Sequence, residues 1–394
     1  MTVLARRERA DTLEHPDDTA TRPERRPLQD RVQHAVDSLV ASGGEVGLQV
    51  AVVKDGTVVA DVSGGTSDRQ RERAVGASDL FFAASTAKGV LSSLAHVLAA
   101  RGEVDYDMPL ARVWPEFAAH GKADVTVRHV LMHQAGVPGL PASLTTEQLC
   151  DWPYMCAVIA GERPWWPAGT AFGYHALTFG FLLGETLQRL TGTPLPALLR
   201  QAVTGPARIA GEVHFGVPER LLERVVHQHP PADGRIPVPE PGSAAARAEP
   251  AGARAEAAFA NRRDVLLAQI PSMGTMSARA AARLYAALLG HFTRVPLLTE
   301  DQLAGIAEVA FTGHDEVMDM PVSWSFGYSV DRPGACKSRP GSTFGMMGAN
   351  GSAAYGDIDT GVAVAVMRNR FTPDFTAVKM LDDIVSNNYP PPHA

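Results

Sequence analysis

Ser85 and Lys88 stand three residues apart at the head of a long apolar run, Phe82-Ala83-Ala84-Ser85-Thr86-Ala87-Lys88-Gly89. On a helix that begins near Ser85 this spacing puts both side chains on one face, with Cβ atoms roughly 5–6 Å apart. A lysine desolvated by apolar neighbours holds its proton less tightly and can accept one from the hydroxyl. The free N–H groups and the positive end of a helix N-terminus add half of an oxyanion site. Taken alone, the tetrapeptide also fits a serine that merely caps a core helix.

A second stretch with chemical content is Trp165-Trp166-Pro167-Ala168-Gly169-Thr170-Ala171-Phe172-Gly173-Tyr174-His175-Ala176. Its Pro-Ala-Gly turn delivers Tyr174 to the mouth of a following helix, where a tyrosine beside cations can transfer protons. Tyr174 by itself reads as readily as a core tyrosine. His129 and His133 are four apart, the spacing of two metal ligands on a helix, but no glutamate adjoins them and no third ligand is evident. They read as structural histidines, and no metal or other cofactor is expected.

The elements that must position these residues follow from periodicity. Leu28, Val32, Val36, Leu39 and Val40 make an amphipathic helix. Two β-rich runs, 47–53 and 57–63, flank Lys54-Asp55-Gly56 and predict a hairpin. Val90, Leu91, Leu94, Val97 and Leu98, with alanines between them, leave almost no polar face, so the helix after Ser85 should be buried as far as Gly102. A helix is expected from Leu177 to Leu190 and another from Ala278 to Leu289, capped by Ser277. Strands return at 322–330, 342–345, 351–355 and 360–367, before a closing helix from Phe371 to Val385. Strands at both ends with helices between them predict an α+β fold: one antiparallel sheet built from both termini, with a helical lobe inserted. Residues 1–27 lack apolar patterning and are expected to be a disordered tail; 28–390 form one catalytic domain, with a sheet lobe about 28–80 and 290–390 and a helical lobe about 85–289. The Pro-, Ala- and charge-rich stretch 228–258 is expected to be a flexible insertion.

Composition narrows the partners. A net charge of −7 over 394 residues argues against a nucleic-acid or anionic-membrane partner, which requires clustered Lys and Arg. No run approaches the ~18–20 apolar residues of a membrane span. Only five lysines occur, so one inside an apolar helix is unlikely to be incidental. Cys150, Cys156 and Cys336 show no paired spacing and read as free thiols, which fits a cytoplasmic protein.

With Ser85-Thr-Ala-Lys88, then Tyr174-His-Ala176, then a glycine-rich strand near Gly348, the chain resembles the serine β-lactamases and penicillin-recognising enzymes. It looks most similar to the class C-like branch that includes family VIII esterases and the lovastatin acyltransferase. The resemblance implies that Ser85 attacks an acyl carbonyl, that Lys88 and Tyr174 move the proton, and that the oxyanion sits between the backbone N–H groups of Ser85 and Ala349. Met346, Met347 and Gly348 of the third motif, with His175 and Trp166, are the implied substrate contacts. Two positions depart from the family pattern. Ala176 stands where an asparagine usually binds the substrate amide, and Met346 where a lysine or histidine usually meets a carboxylate. The two methionines either line an apolar acyl pocket or only pack. The expected activity is transfer of an acyl group from a small ester or thioester to water, an alcohol or an amine, as in an esterase or an acyltransferase of secondary metabolism. A β-lactamase or D-alanyl-D-alanine peptidase is the second expectation, and a binding protein that kept the fold is the third.

Overall fold

The structure is a computed structural model that describes residues 27–235, 238–330 and 341–392. The tail expected at 1–27 lies outside these residues except for Pro27, and so does Cys336. In chain order the strands are β1 (Gly47–Lys54), β2 (Thr57–Gly65), β3 (Phe81–Phe82), β4 (Val213–His214), β5 (Thr275–Met276), β6 (Val309–Asp315), β7 (Met320–Ser325), β8 (Thr343–Met347), β9 (Ala353–Asp357) and β10 (Val362–Arg368). The main sheet has the order β2-β1-β10-β9-β8 and is antiparallel throughout. It is built from both ends of the chain, as the sequence predicts.

Local chemistry makes the hairpin. Asp55 and Gly56 both take positive φ, 46° and 76°, the geometry whose twist matches that of the flanking strands. β1 and β10 are almost wholly buried because both faces of the sheet are covered. Val50, Val52, Val364 and Val366 face a layer formed by the helices Leu28–Ala41 and Thr376–Ser386. Ala51, Ala363 and Ala365 point the other way, where small side chains let the alanine-rich helix Ala278–Leu288 approach closely. Arg31 joins the two outer helices, donating to Asn388 Oδ1 at 3.1 Å and to the Ile384 carbonyl at 3.3 Å.

Three expectations need correction. The strand predicted at 322–330 stops at Ser325, because the chain turns at Gly327 (φ 89°), whose N–H donates to the Ser325 carbonyl. The hairpin β6–β7 therefore stands beside the main sheet, to which Ser329 is bridged at Gly345. The closing helix starts at Thr376, five residues later than expected, where the Asp374 carboxylate accepts from the Thr376 N–H at 2.8 Å. The described residues of 228–258 are not an unstructured excursion. Ser243 caps a helix at Ala244–Ala248 by accepting from the Ala246 N–H, and Ala248, Ala253 and Ala257 are buried.

Candidate active site

The helix Thr86–Ala100 is buried over nearly its whole length, so it brings a rigid N-terminus to the seam between the sheet and the helical body. Ser85 occupies the N-cap position but has helical dihedrals (φ −65°, ψ −11°) and makes no side-chain cap bond. That settles what the tetrapeptide left open: the Ser85 hydroxyl does not cap the helix. Ala84 just before it has φ 44°, a strained conformation for a residue with a Cβ, of the kind that accumulates at functional sites.

Ser85 Oγ accepts a hydrogen bond from Lys88 Nζ at 3.0 Å, and Lys88 Nζ also donates to the Ser272 carbonyl at 3.3 Å. Lys88 is 1 % exposed. Burial lowers its pKa from 10.5 to about 7, against an opposing pull from the Glu249 carboxylate. The ammonium lies 4.9 Å over the Tyr174 ring. Burial pushes the Tyr174 hydroxyl strongly up, and the nearby Ser85 side chain partly offsets that push. Serine, lysine and tyrosine thus share one contact network, with Tyr174 half-buried and Ser85 still reachable.

Tyr174 is held by backbone lacing. The Trp165, Gly169 and Gly173 N–H groups donate to the carbonyls of Gly136, Gln134 and His133, and the Tyr174 N–H donates to Asp315 Oδ1. The histidine pair has structural work. His129 completes a capping box with Thr126, and His133, at φ 53°, accepts the His175 N–H on Nδ1 at 3.0 Å. His133 Nε2 is buried without a partner, 4.7 Å separating its ring centroid from that of Tyr174.

The third motif closes the site from the sheet side. A Cβ on Gly348 would meet the Ala83 carbonyl at 2.6 Å and Thr86 Oγ1 at 2.9 Å, so the turn after β8 lies against the chain that carries Ser85. Asn350 reinforces this contact, donating to the Phe82 carbonyl at 2.7 Å and accepting the Ser352 N–H. Ala349 is exposed, and within the described residues neither its N–H nor that of Ser85 is given to another acceptor.

Several expected substrate contacts are not available as such. His175 is buried: Nδ1–H donates to the Gly173 carbonyl at 2.6 Å, Nε2 accepts the Val137 N–H at 3.1 Å, and burial lowers its pKa to about 4. Met346 is 3 % exposed and lies against Gly89 of the serine helix, while Met347, one residue on, packs with the outer helices on the opposite face. Both methionines are packing residues. Trp166 is half-buried, its ring against Gly173 next to Tyr174, with Nε1 unpartnered.

Four residues of the site escaped the sequence reading. Ser272 fixes Lys88 through its carbonyl while its hydroxyl donates to the Leu177 carbonyl and accepts the Gly180 N–H. Asn350 and its following glycine carried a turn signal that pointed to it. Asp315 and Glu249 gave no local signal, because each acts on residues distant in sequence. A cavity of about 950 Å³, lined among others by Arg101, Arg208, Phe292 and Leu297, lies at the other end of the serine helix. At about 1.5 Å per residue that is roughly 20 Å from Ser85, and the cavity contains none of these groups.

A sequence profile of the beta-lactamase family matches residues 32–386. Esterase/beta-lactamase LipL of Mycobacterium tuberculosis is 32% identical over 337 residues, covering 82% of this chain and 76% of that protein. Among solved structures, a family VIII carboxylesterase superposes with a TM-score of 0.82 at 29% identity, over 92% of this chain and 97% of the other. A penicillin-binding protein homolog from Caulobacter crescentus superposes with a TM-score of 0.77 at 32% identity, over 88% and 93%.

Proposed function

The chain belongs to the beta-lactamase family and is a serine hydrolase, and on that premise we propose that it transfers acyl groups through an ester formed on Ser85. The donor is a small carboxylic ester or thioester, and the acceptor is water or a small alcohol or amine. The observation that carries this reading is the 3.0 Å bond between Ser85 Oγ and a buried Lys88 whose pKa falls to about 7. A neutral amine at that distance takes the hydroxyl proton as Oγ attacks the carbonyl carbon. The backbone N–H groups of Ser85 and Ala349 receive the developing oxyanion. Tyr174, whose ring lies 4.9 Å from Lys88 Nζ, passes a proton to the leaving group, and the same groups run in reverse when the acceptor attacks the acyl-enzyme.

The substrate side supports esters over β-lactams. With alanine at 176 and a packed methionine at 346, the site lacks an amide-binding asparagine and a cation for a substrate carboxylate. Of the relatives, one is named a carboxylesterase and one an esterase/beta-lactamase, so ester hydrolysis is the activity that both names share. Trp166 is the side chain we assign to the acyl group. Unpaired thiols at Cys150 and Cys156 fit a reducing compartment, and we assign a cytoplasmic small-molecule substrate of secondary metabolism.

Intact-protein mass spectrometry tests the nucleophile: a fluorophosphonate should add to the wild type and not to Ser85→Ala. Comparison of kcat/KM on p-nitrophenyl esters and on nitrocefin tests the substrate class. Comparable values on both would favour a β-lactamase, and an unlabelled wild type would leave only a binding protein.

A further inference from the structure

The cavity of about 950 Å³ at the C-terminal end of the serine helix is walled mainly by two segments. One is the turn 205–208; the other is the loop 289–299 between the helices Ala278–Leu288 and Glu300–Ala307. Each segment holds a residue with a Cβ in the left-handed backbone region, Arg208 at φ 58° and Phe292 at φ 63°. That conformation is costly for a bulky side chain and recurs where a chain clamps a ligand. The volume is that of a small-molecule pocket, which spans about 300–1,000 Å³.

The interior of the cavity is apolar and its edge is cationic. Leu297 and Leu298 are buried, Leu303 and Phe292 are half-buried, and Val295 on the same wall is 73 % exposed. Three arginines line it, and Glu300 is the one carboxylate among the described residues that do. Arg101 is already engaged, donating to the Ala202 carbonyl at 3.0 Å with Glu103 4.0 Å away. Arg208 and Arg294 are exposed, and among the described residues neither has an ion pair or a side-chain hydrogen bond. A further guanidinium, that of Arg283, lies 4.0 Å over the Phe292 ring and leaves Nε without a partner, as the wall residue Thr293 leaves Oγ1. Arg279, one helical turn before Arg283, is by contrast paired with Asp61 and Glu212.

We propose that this cavity is a second binding site, which takes an aliphatic carboxylate: the alkyl chain lies on Phe292, Leu297, Leu298 and Leu303, and the head group meets Arg208 and Arg294. The planar guanidinium fork matches the two oxygens of a carboxylate. Glu300 on the same wall repels a dianion, which makes a carboxylate a better match than a phosphate. A second copy of this chain is a poor occupant, because a two-fold contact on this face would set Arg208 and Arg294 against themselves. The site goes beyond the reaction proposed above: it lies roughly 20 Å from Ser85 along the serine helix, so it can fill whether or not an acyl group is on the serine.

Isothermal titration calorimetry of the full chain carrying Ser85→Ala, with dodecanoate as the probe, tests this. One site per chain is expected. The affinity should fall at least about tenfold when Arg208→Asn and Arg294→Gln are added together, since each removes a charged hydrogen-bond donor. Asparagine tolerates the positive φ at 208, so the fold should survive that change. Leu303→Trp, which fills the apolar end and leaves every charge in place, should weaken binding as much, and dodecanol should bind at least about tenfold more weakly than dodecanoate. Absence of binding, equal binding of the alcohol and the carboxylate, or an affinity that no cavity variant changes would each overturn the proposal. Tighter binding of dodecyl phosphate than of dodecanoate would overturn the assignment of the head group. A dimer in sedimentation that Leu303→Trp dissociates would give the face to a second copy instead.

Discussion

The Tyr174 backbone N–H donates to Asp315 Oδ1 at 3.0 Å, a bond that spans 141 residues of sequence. The same oxygen accepts the Val317 and Met318 N–H groups at 2.9 and 3.1 Å, so one buried carboxylate oxygen sets both the end of β6 and the position of the tyrosine. Asp315→Ala leaves three donors unpaired and frees the Tyr174 loop. A fall of about 10²-fold in kcat/KM on a p-nitrophenyl ester is expected, the size typical of a misplacement of about 1 Å. Asp315→Asn retains an acceptor and should recover most of that loss in the same assay.

In the reaction proposed above, Lys88 sets the pH dependence: it works as a base only when neutral, and burial puts its pKa at about 7. The phosphonylation rate of the wild type should therefore rise about tenfold per pH unit below 7 and level off above it. Lys88→Ala should retain its fold by circular dichroism and lose acylation at every pH. An unchanged rate in that variant would make Lys88 purely structural.

Gly348 is a steric requirement at the turn beside Ser85, which the proposed reaction uses to hold the oxyanion. A methyl group there meets the Ala83 carbonyl and Thr86 Oγ1 below 3 Å, so Gly348→Ala must push the Ala349 N–H away from Ser85. Loss of one oxyanion donor costs about 10²–10³ in kcat. The crowding should also cost about 1–3 kcal/mol of stability, measurable by urea unfolding.

Glu45 and Arg368 tie the segment before β1 to the end of β10 through a buried ion pair, 2.7 Å at its shorter contact. Their side chains are 1 % and 3 % exposed. Glu45→Ala leaves the guanidinium buried beside an empty site, with an expected loss of about 3–5 kcal/mol. Replacing both residues by apolar ones of similar volume should recover much of it, and comparing the unfolding midpoints checks the difference.

How much of this was legible in the sequence depends on the range of the interactions involved. The hairpin, the buried helix and the Ser85–Lys88 pairing are written in local residue types, and the strands at the two ends reveal the sheet. Composition misled at 228–258, where alanine and glycine look like a linker, but Gly252 lies against the Leu144 backbone and Ala248, Ala253 and Ala257 are buried. β6 was missed because most of it is exposed and its pattern does not alternate as a core strand does. His175 looked accessible beside Tyr174, yet the Gly173 carbonyl and the Val137 N–H occupy its two ring nitrogens. Asp315 carries no motif; its bond to Tyr174 exists only after distant segments meet.

The strand order β2-β1-β10-β9-β8 places the last strand made at the centre of the sheet. During synthesis the β1–β2 hairpin must therefore wait, with one edge open, until β10 has left the ribosome. Until then the serine helix has no sheet at its back and no Gly348 turn beside it. Such long-range closure folds slowly and exposes unpaired edges while it waits. Ser85 and Lys88 are written early in this chain, but their site closes only with β8, β9 and β10.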